Sequence, residues 1–323
     1  MLQNTLLEIN DLHIYLGKTP LVRGVSLSMA AGESLGLVGE SGCGKSLTAL
    51  AVMGLLASPP LRIGAGTIRL NGQDLVSMPE ASLQQVRGRD VAMIFQEPMT
   101  SLNPVFRVGH QVSEVLDIHE NPGRRASKTR AAELLEKVGL APDRIARRYP
   151  HELSGGQRQR VMIAMALAGN PKLLIADEPT TALDVTVQAQ ILDLIATLCR
   201  EQGMGILLIA HDLGIVRQQC DRVAVMYSGQ IVEHGAIEAV FRQPRHPYTG
   251  ALLATIPARN LNRRGGQLPS IEGGVPNAAE RPPGCAFAPR CTKSASRCQS
   301  DNPPLEPAAH DSREVRCWYP EPA

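Results

Sequence analysis

Aromatic residues are scarce in this sequence, charges of the two signs nearly cancel, and long apolar runs are absent. Phe, Trp and Tyr make up only 3% of the 323 residues, so the core must be built from aliphatic side chains. The formal net charge of +2 provides no basic surface for nucleic acid or for an anionic membrane. The longest uninterrupted apolar stretch, Val161–Ala168, is far too short to span a bilayer. A role at a membrane would therefore need other chains to cross it.

A secretory signal is also missing from residues 1–10, which have neither a basic segment nor a long apolar one. We therefore expect the chain to remain in a reducing compartment. Its length suits one large domain with an additional piece. Thirteen of the 24 prolines fall in the last 80 residues, where the periodicity of helices and strands fades. We predict a first domain over residues 1–245 and a C-terminal extension over residues 246–323.

Alternating and fully apolar segments predict a mixed α/β fold. Two runs, Leu173–Ala176 and Ile206–Ala210, are almost entirely apolar, which is typical of strands buried on both faces of a parallel sheet. Residues from about 100 to 168 have mostly helical patterns. The other predicted elements are strands at Leu6–Tyr15, Leu21–Met29, Ser34–Val38 and Val91–Phe95, hairpins at Gly66–Leu75 and Val223–Glu233, and helices at Lys45–Leu56 and Val185–Cys199.

Residues 39–46 fit the phosphate-loop pattern G-x-x-x-x-G-K-[ST], and they lie between a predicted strand and a predicted helix, as that pattern requires. The glycines allow backbone N–H groups to turn toward phosphate oxygens, and the helix N-terminus adds a positive dipole. We expect Lys45 to reach the β- and γ-phosphates and the Ser46 hydroxyl to bind Mg²⁺. The predicted ATP contacts are Gly39, Glu40, Ser41, Gly42, Cys43, Gly44, Lys45 and Ser46.

Two acidic residues, Asp177 and Glu178, follow directly on the apolar run Leu173–Ala176. The carboxyl ends of the strands are where open α/β sheets bind their ligands. We expect Asp177 to hold Mg²⁺ through its coordination shell and Glu178 to polarise the water that attacks ATP. A solvated acidic strand end is the plain alternative, and the phosphate loop upstream favours the catalytic interpretation.

A third motif, Leu153-Ser154-Gly155-Gly156-Gln157, opens a predicted helix. Ser154 and Gln157 fit a capping box, with Ser as the N-cap and Gln at N3. Two glycines weaken the first turn of a helix, but they allow the backbone to approach an anion closely. With this motif in place, the chain resembles the ATPases of ABC transporters over about residues 5–245. The resemblance implies a RecA-like P-loop NTPase core, an antiparallel β subdomain, and a helical signature subdomain over about residues 100–168.

The resemblance also implies roles for single residues. Gln96 matches a glutamine that binds Mg²⁺ and senses the transmembrane subunits, and His211 matches a switch histidine that contacts the γ-phosphate. Ala182-Leu183-Asp184 matches the D-loop. Tyr15 is the candidate to stack on adenine, with Leu16 as the other residue that could align there. Two such subunits face head to tail, so the signature residues would act on the partner's ATP; they are Ser154, Gly155, Gly156 and Gln157.

Two further stretches resemble the peptide and nickel importers within this family. Residues 97–104 have the sequence Glu-Pro-Met-Thr-Ser-Leu-Asn-Pro, and residues 245–249 have the sequence Arg-His-Pro-Tyr-Thr. The resemblance implies an importer of di- or oligopeptides at the cytoplasmic face of the cell membrane, with nickel as the alternative cargo. The expected partners are a second, different ATPase subunit, two transmembrane permeases and, indirectly, an extracytoplasmic binding protein. No nucleic acid is expected.

Four of the seven cysteines lie close together in the C-terminal extension, at Cys285, Cys291, Cys298 and Cys317. Zinc ribbons favour closely spaced cysteine pairs, which are absent here, while wider spacing with four thiolates suits an iron–sulfur cluster. The importer resemblance points the same way, to a 4Fe–4S cluster. We therefore expect a cluster that holds the proline-rich extension together, with zinc or unligated cysteines as alternatives.

A non-transport ABC ATPase of DNA repair or translation is the rival class. Such proteins have long helical insertions or two cassettes in one chain, whereas this chain has one cassette and no basic patch. A binding module that keeps the fold without turnover is a second rival, and Glu178 and His211 argue against it. The sequence therefore predicts an ATPase that uses MgATP to drive transport.

Overall fold

The computed structural model describes residues 5–97, 101–120, 122–181, 183–256, 270–308 and 313–322. The chain forms two compact units, and each unit combines segments that are far apart in the sequence. No described helix is both long enough and apolar enough to cross a membrane. The first unit contains Met1–Leu6, Ala30–Glu33 and Ser77–Leu207, and the second contains Leu7–Met29, Ser34–Val76 and Leu208–Ala323.

Strands and helices follow one another along much of the chain. The strands of the described residues are β1 (Thr5–Leu16), β2 (Thr19–Ala30), β3 (Ser34–Val38), β4 (Leu61–Leu70), β5 (Gln73–Asp74), β6 (Val91–Ile94), β7 (Leu173–Asp177), β8 (Gly205–Ala210), β9 (Arg222–Tyr227), β10 (Gln230–Ala236), β11 (Glu306–Pro307) and β12 (Glu314–Val315). The α-helices are Lys45–Val52, Glu80–Val86, Val108–His119, Arg124–Lys137, Pro142–Ile145, Gly155–Leu167, Val185–Gln202, Leu213–Gln219, Ile237–Arg242, Pro247–Ala254 and Ser296–Ser300.

The first unit is mainly helical and contains the parallel strand pair β6 and β7. Val91 lies opposite Leu173 in this pair. Every residue of β7 is buried, as expected for a strand that is covered on both faces. Much of the segment predicted to be helical is helical, and three of its helices contact one another: Val108–His119, Arg124–Lys137 and Gly155–Leu167.

The second unit contains an antiparallel sheet with the strand order β2-β1-β4-β5. The β4–β5 hairpin turns at Asn71 and Gly72, whose φ values are 48° and 79°. A two-residue type I′ turn requires positive φ at both central positions, and Asn-Gly is its preferred sequence. The predicted hairpin is therefore confirmed.

A second group of strands in this unit has the order β11-β12-β10-β9-β3. β3 runs parallel to β9, with Leu35 opposite Arg222, and β9 and β10 form the predicted hairpin. β12 comes from the C-terminal extension and pairs with β10, where Val315 lies opposite Glu233. The extension is therefore part of this sheet. The division between the two units falls inside β8.

Three of the few aromatic side chains pack together in the second unit. The ring centroids of Tyr227 and Tyr248 are 4.6 Å apart, and Phe287 lies 5.3 Å from each of them. All three residues are buried. Aromatic rings contribute large buried areas and favour tilted and edge-to-face contacts of this kind. The core at this point is aromatic, unlike the aliphatic core that the composition predicts.

Candidate nucleotide site

The phosphate loop connects β3 to the helix Lys45–Val52 in the second unit. The backbone at Gly39 and Gly44 has φ values of 156° and 108°. A Cβ atom on Gly39 would lie 2.1 Å from the carbonyl oxygen of Met226, and one on Gly44 would lie 2.8 Å from Met226 Cε. Gly39 requires glycine because the β9 backbone passes so close to the loop, and Gly44 requires it because of its positive φ.

The amino group of Lys45 lies inside the loop. Its Nζ donates to the carbonyl oxygens of Gly39 at 2.8 Å and Glu40 at 3.2 Å, and the residue is only 4% exposed. A buried ammonium group needs such partners. Phosphate oxygens can replace the carbonyl oxygens, so the loop places a cation next to the helix N-terminus, where an anion binds well. Ser46 follows in the first turn of this helix and is half-buried.

The predicted catalytic carboxylate lies in the first unit, directly after β7. Asp177 is the last residue of the strand and is 5% exposed. Glu178 has a φ of 45°, a left-handed conformation that is uncommon for a residue of this size. Its Oε2 accepts hydrogen bonds from Gln96 Nε2 at 2.9 Å and Thr181 Oγ1 at 3.2 Å. The structure thus brings Gln96 and Glu178 together, and Thr181, which precedes the D-loop match Ala182-Leu183-Asp184, donates to the same carboxylate.

The signature motif opens the helix Gly155–Leu167 in the first unit. Ser154 is the N-cap, and its Oγ accepts a hydrogen bond from the backbone N–H of Gln157 at 3.3 Å. The side chain of Gln157 accepts in return from the backbone N–H of Ser154 at 3.1 Å. The predicted capping box is confirmed, and it fixes the first turn in which the two glycines lie.

The D-loop leads into the helix Val185–Gln202 of the same unit. Asp184 is the N-cap, and its Oδ1 accepts from the backbone N–H of Val187 at 3.0 Å. A Cβ atom on Gly156 would lie 3.1 Å from Val187 Cγ1, so the signature helix and the D-loop helix pack closely. Four residues of the predicted motifs lie outside the described residues: Pro98, Met99, Thr100 and Ala182.

Two further predicted contacts, His211 and Tyr15, lie in the second unit. His211 follows β8 directly and is exposed. Tyr15 lies near the end of β1, and the Arg62 guanidinium is 4.7 Å from its ring centroid. A Cβ atom on Gly64 would lie 2.5 Å from Tyr15 Cε2. The Tyr15 ring therefore packs against Arg62, and the lack of a side chain at Gly64 leaves room for it.

Comparison with known proteins identifies the family. A family model described as ABC transporter matches residues 22–181, and one described as the C-terminal region of oligopeptide/dipeptide transporters matches residues 232–298. The chain is 50% identical to the oligopeptide transport ATP-binding protein AppD of Bacillus subtilis, over 98% of each chain. This chain belongs to the family of ABC transporter ATP-binding proteins. It is also 48% identical to the dipeptide transport ATP-binding protein DppD of Haemophilus influenzae, over 98% of this chain and 96% of DppD.

Solved ATP-binding cassettes have the same fold as this ABC ATPase. The cassette MJ0796, in a dimeric post-hydrolysis state with ADP and Pi, has a TM-score of 0.64 and 26% identity, and the match covers 72% of this chain and 98% of the cassette. The cassette cbiO1 from Clostridium perfringens has a TM-score of 0.64 and 27% identity, covering 74% of this chain and 91% of that cassette. The predicted P-loop NTPase fold and the predicted ATPase activity are therefore confirmed.

The prediction of an iron–sulfur cluster in this ABC ATPase is wrong. Four cysteines line one cavity beside Trp318, but the described residues contain no group of three or more His, Cys, Asp or Glu side chains that could hold a metal ion. Burial raises the pKa of Cys285 and Cys291, and it raises the pKa of Cys317 to about 11. The lack of a metal-binding group among the described residues also contradicts the zinc alternative. The cysteines in question are Cys285, Cys291, Cys298 and Cys317.

Hydrogen bonds to the rest of the second unit hold the extension in place of the predicted metal. The backbone N–H of Arg316 donates to Val232 O at 2.8 Å, and its Nε donates to Ile231 O at 2.9 Å. Glu233 is fully buried, and its two carboxylate oxygens accept from the backbone N–H groups of residues 245 and 246, each at 2.9 Å. These bonds add to the pairing of β12 with β10 and to the aromatic cluster.

The sequence analysis also missed the residues of the extension that contact the phosphate loop. The backbone N–H of Glu40 donates to Tyr248 Oη at 3.0 Å, and the Glu40 carboxylate forms an ion pair with Arg290. Tyr248 lies in the Arg-His-Pro-Tyr-Thr stretch at residues 245–249, which the sequence analysis noted as a feature of the importers but did not connect with the phosphate loop.

Proposed function

We propose that this ABC ATPase energises the uptake of di- or oligopeptides across the cytoplasmic membrane. The observation that carries the proposal is the match of residues 232–298 to the C-terminal region of oligopeptide/dipeptide transporters. Relatives named as oligopeptide and dipeptide transport ATP-binding proteins align over nearly the whole chain, so the extension is part of the likeness.

The proposed machine contains a second, different ATPase subunit and two transmembrane permeases, with this chain at the cytoplasmic face of the membrane. An extracytoplasmic binding protein delivers the peptide. The solved relative MJ0796 is a dimer, which supports a pair of cassettes. In a head-to-tail pair, the signature helix contacts the ATP of the other subunit through residues 154–157, and Asp184 of the D-loop lies beside it. The N-terminus of the helix Gly155–Leu167 suits this role because its backbone N–H groups attract phosphate.

In the proposed nucleotide site, the backbone of residues 39–46 surrounds the phosphates of the MgATP substrate. Lys45 exchanges its present carbonyl partners for the β- and γ-phosphates. Ser46, Gln96 and Asp177 bind the Mg²⁺ ion that arrives with ATP, which their hydroxyl, amide and carboxylate oxygens suit. Tyr15 is the proposed contact for adenine.

Glu178 is the proposed group that polarises the attacking water, and His211 is the proposed contact to the γ-phosphate. The left-handed backbone of Glu178 supports the assignment, because strained residues persist where function constrains them. The hydrogen bond from Gln96 to Glu178 connects the residue proposed to sense the permeases directly to this carboxylate. A movement of Gln96 on contact with a permease would therefore change the position of the catalytic group.

The proposed domain division is an ATPase domain of residues 1–245, with a helical subdomain at about 100–168, followed by an extension of residues 246–323. The two family models match residues 22–181 and 232–298, which supports two parts, although the second match begins before the proposed end of the ATPase domain at residue 245. The contacts of the extension with β10 mean that the two parts fold together rather than as separate modules.

Uptake by cells tests the proposed cargo. We would delete the gene and measure the uptake of a radiolabelled tripeptide and, separately, of labelled nickel. We expect peptide uptake to fall, to return with the wild-type chain, and to stay low with Glu178→Gln, which serves as the matched inactive control. Lost nickel uptake with normal peptide uptake would refute the proposed cargo and leave the ATPase assignment standing.

A further inference from the structure

The C-terminal extension holds the phosphate loop through the side chain of Glu40. We propose that Arg290 is a positioning residue of the nucleotide site, which fixes and neutralises Glu40 so that the loop binds MgATP tightly. The inference rests on the ATP-binding role of the family and is independent of the cargo proposed above.

Arg290 and Glu40 form a two-pronged ion pair within the second unit. Arg290 Nη1 donates to Glu40 Oε2 at 2.7 Å, and Nη2 donates to Oε1 at 3.0 Å. The two side chains are 7% and 25% exposed. Bidentate pairs of arginine with carboxylate are the strong and directional kind. The remaining donors of Arg290 bind Tyr227 Oη and the carbonyl oxygens of three consecutive residues of the extension, Ile271, Glu272 and Gly273.

Every N–H group of the Arg290 guanidinium therefore has an acceptor, and the side chain is locked between the extension and the loop. The hydrogen bonds from Arg290 to Glu40 raise the pKa of the guanidinium above its ordinary value. The cation is thus present at every pH at which the protein is folded.

A second contact binds the backbone of the same loop residue. Glu40 N–H donates to Tyr248 Oη at 3.0 Å, and Tyr248 is fully buried in the aromatic cluster. Its helix, Pro247–Ala254, is anchored at its start because Glu233 accepts the backbone N–H groups of residues 245 and 246. The extension therefore forms hydrogen bonds to both the backbone and the side chain of Glu40.

A third contact reaches the other end of the loop through the β9–β10 turn. Gly229 N–H donates to the carbonyl oxygen of Cys43 at 2.9 Å. Arg281 of the extension donates to Ser228 Oγ in this turn at 2.8 Å and to Leu21 O at 3.2 Å. The turn that supports the loop at Cys43 is itself held by the extension.

The charge of Glu40 explains why Arg290 matters for nucleotide binding. Glu40 is the second residue of a loop that receives the negative phosphates of ATP, and an unneutralised carboxylate there repels them. Arg290 provides the compensating charge at hydrogen-bond distance. The hydrogen bond to Tyr248 keeps the Glu40 backbone in one conformation. Arg290 thus affects ATP binding through the charge and position of the Glu40 carboxylate.

The test is a double-mutant cycle on the full chain, with the fluorescent nucleotide mant-ATP and Mg²⁺ as the probe. The variants are Arg290→Gln, Glu40→Gln, the double variant, and Arg290→Lys as the conservative change. Arg217→Gln is the matched control, because Arg217 also forms a bidentate pair, with Glu238, but on an exposed surface of the same unit. Emission of Trp318, which lies in the extension, reports whether each variant is folded.

We expect Arg290→Gln to raise the Kd for mant-ATP about tenfold, within the five- to thirtyfold range that corresponds to one or two kcal/mol. Adding Glu40→Gln should restore the Kd to within about threefold of wild type, because the uncompensated carboxylate is then gone. Arg290→Lys should lie between Arg290→Gln and wild type, and Arg217→Gln should match wild type.

If Arg290→Gln folds, either of two results would overturn the proposal. One is a folded Arg290→Gln variant whose Kd for mant-ATP stays within about twofold of wild type. The other is a double variant that binds mant-ATP no better than Arg290→Gln, since the defect would then not act through Glu40. If Arg290→Gln does not fold, Glu40→Gln and Arg290→Lys decide the matter. A Kd for Arg290→Lys equal to that of wild type would refute the bidentate role.

Discussion

Acid should lower the free energy of unfolding through a buried histidine in the C-terminal extension. His246 is 1% exposed, and burial lowers its pKa from 6.5 to about 3. Its Nδ1 accepts a hydrogen bond from the backbone N–H of Tyr248 at 3.0 Å, which caps the helix Pro247–Ala254. The folded protein therefore requires the neutral ring, whereas the unfolded chain takes up a proton as soon as the pH falls below 6.5.

The sign and size of the effect follow from proton linkage. Because the folded pKa lies below the unfolded one, the stabilising contribution is fully present above pH 6.5 and is lost as the pH falls toward 3. Between pH 7 and pH 5 the loss amounts to about 2 kcal/mol of unfolding free energy. Glu233 acts in the opposite direction, because burial raises the pKa of its carboxyl group and the folded state then holds a proton more readily.

Urea unfolding followed by tryptophan emission measures this effect. Trp318 is the single tryptophan, and its indole N–H donates to Asp301 O at 2.9 Å within the extension. The matched variant is His246→Asn, whose amide oxygen can accept the same capping hydrogen bond without titrating. We expect wild type to lose about 2 kcal/mol more than His246→Asn between pH 7 and pH 5. Glu233 is present in both proteins, so its contribution cancels. Equal pH dependence in the two proteins would refute the reasoning.

Substitutions at three residues test the proposed nucleotide chemistry. Glu178→Gln should bind mant-ATP like wild type and trap a closed dimer, while kcat for ATP hydrolysis falls by a factor of about 100 or more; wild-type turnover would contradict the role of Glu178. Lys45→Ala should raise the Kd for mant-ATP by about two orders of magnitude, since charge-assisted bonds to phosphate are lost; an unchanged Kd would count against the loop. Ser154→Ala should cost about 1 kcal/mol of stability by loss of the cap, whereas Ser154→Asp should keep the cap. Both should lower dimer ATPase activity, and full activity of Ser154→Asp would limit Ser154 to capping.

Features decided by short-range interactions could be predicted from the sequence. The strand Ser34–Val38 has the predicted bounds, because a run of apolar residues between polar turns allows little else. The capping box at Ser154 and the turn at Asn71 also depend on neighbours within four residues. The phosphate loop was also predictable, because its glycines and its lysine lie within eight consecutive residues and together suit an anion.

Boundaries and long-range contacts could not be predicted in this way. The helix that starts at Lys45 ends at Val52 and not at Leu56, because Gly54 adopts a φ of 62° and closes the helix early. The Gln96–Glu178 hydrogen bond joins residues 82 positions apart, and no local pattern encodes such a pair. Glu178 was identified from its place after an apolar strand and Gln96 from the resemblance to ABC ATPases, but neither argument predicted that the two residues bind each other.

The error over the cysteines and the missed contact with Glu40 have one physical origin. A proline-rich segment without regular periods cannot stabilise itself, so some strong interaction must hold it. The clustered cysteines suggested a metal, because the sequence shows spacing but not what surrounds each thiol. In the structure, arginine side chains bind backbone carbonyl oxygens and the Glu40 carboxylate. Such contacts leave no periodic signal, since a guanidinium group reaches acceptors on any segment that folds next to it. An extension held in this way depends on the phosphate loop for its own packing, and the loop depends on it in return.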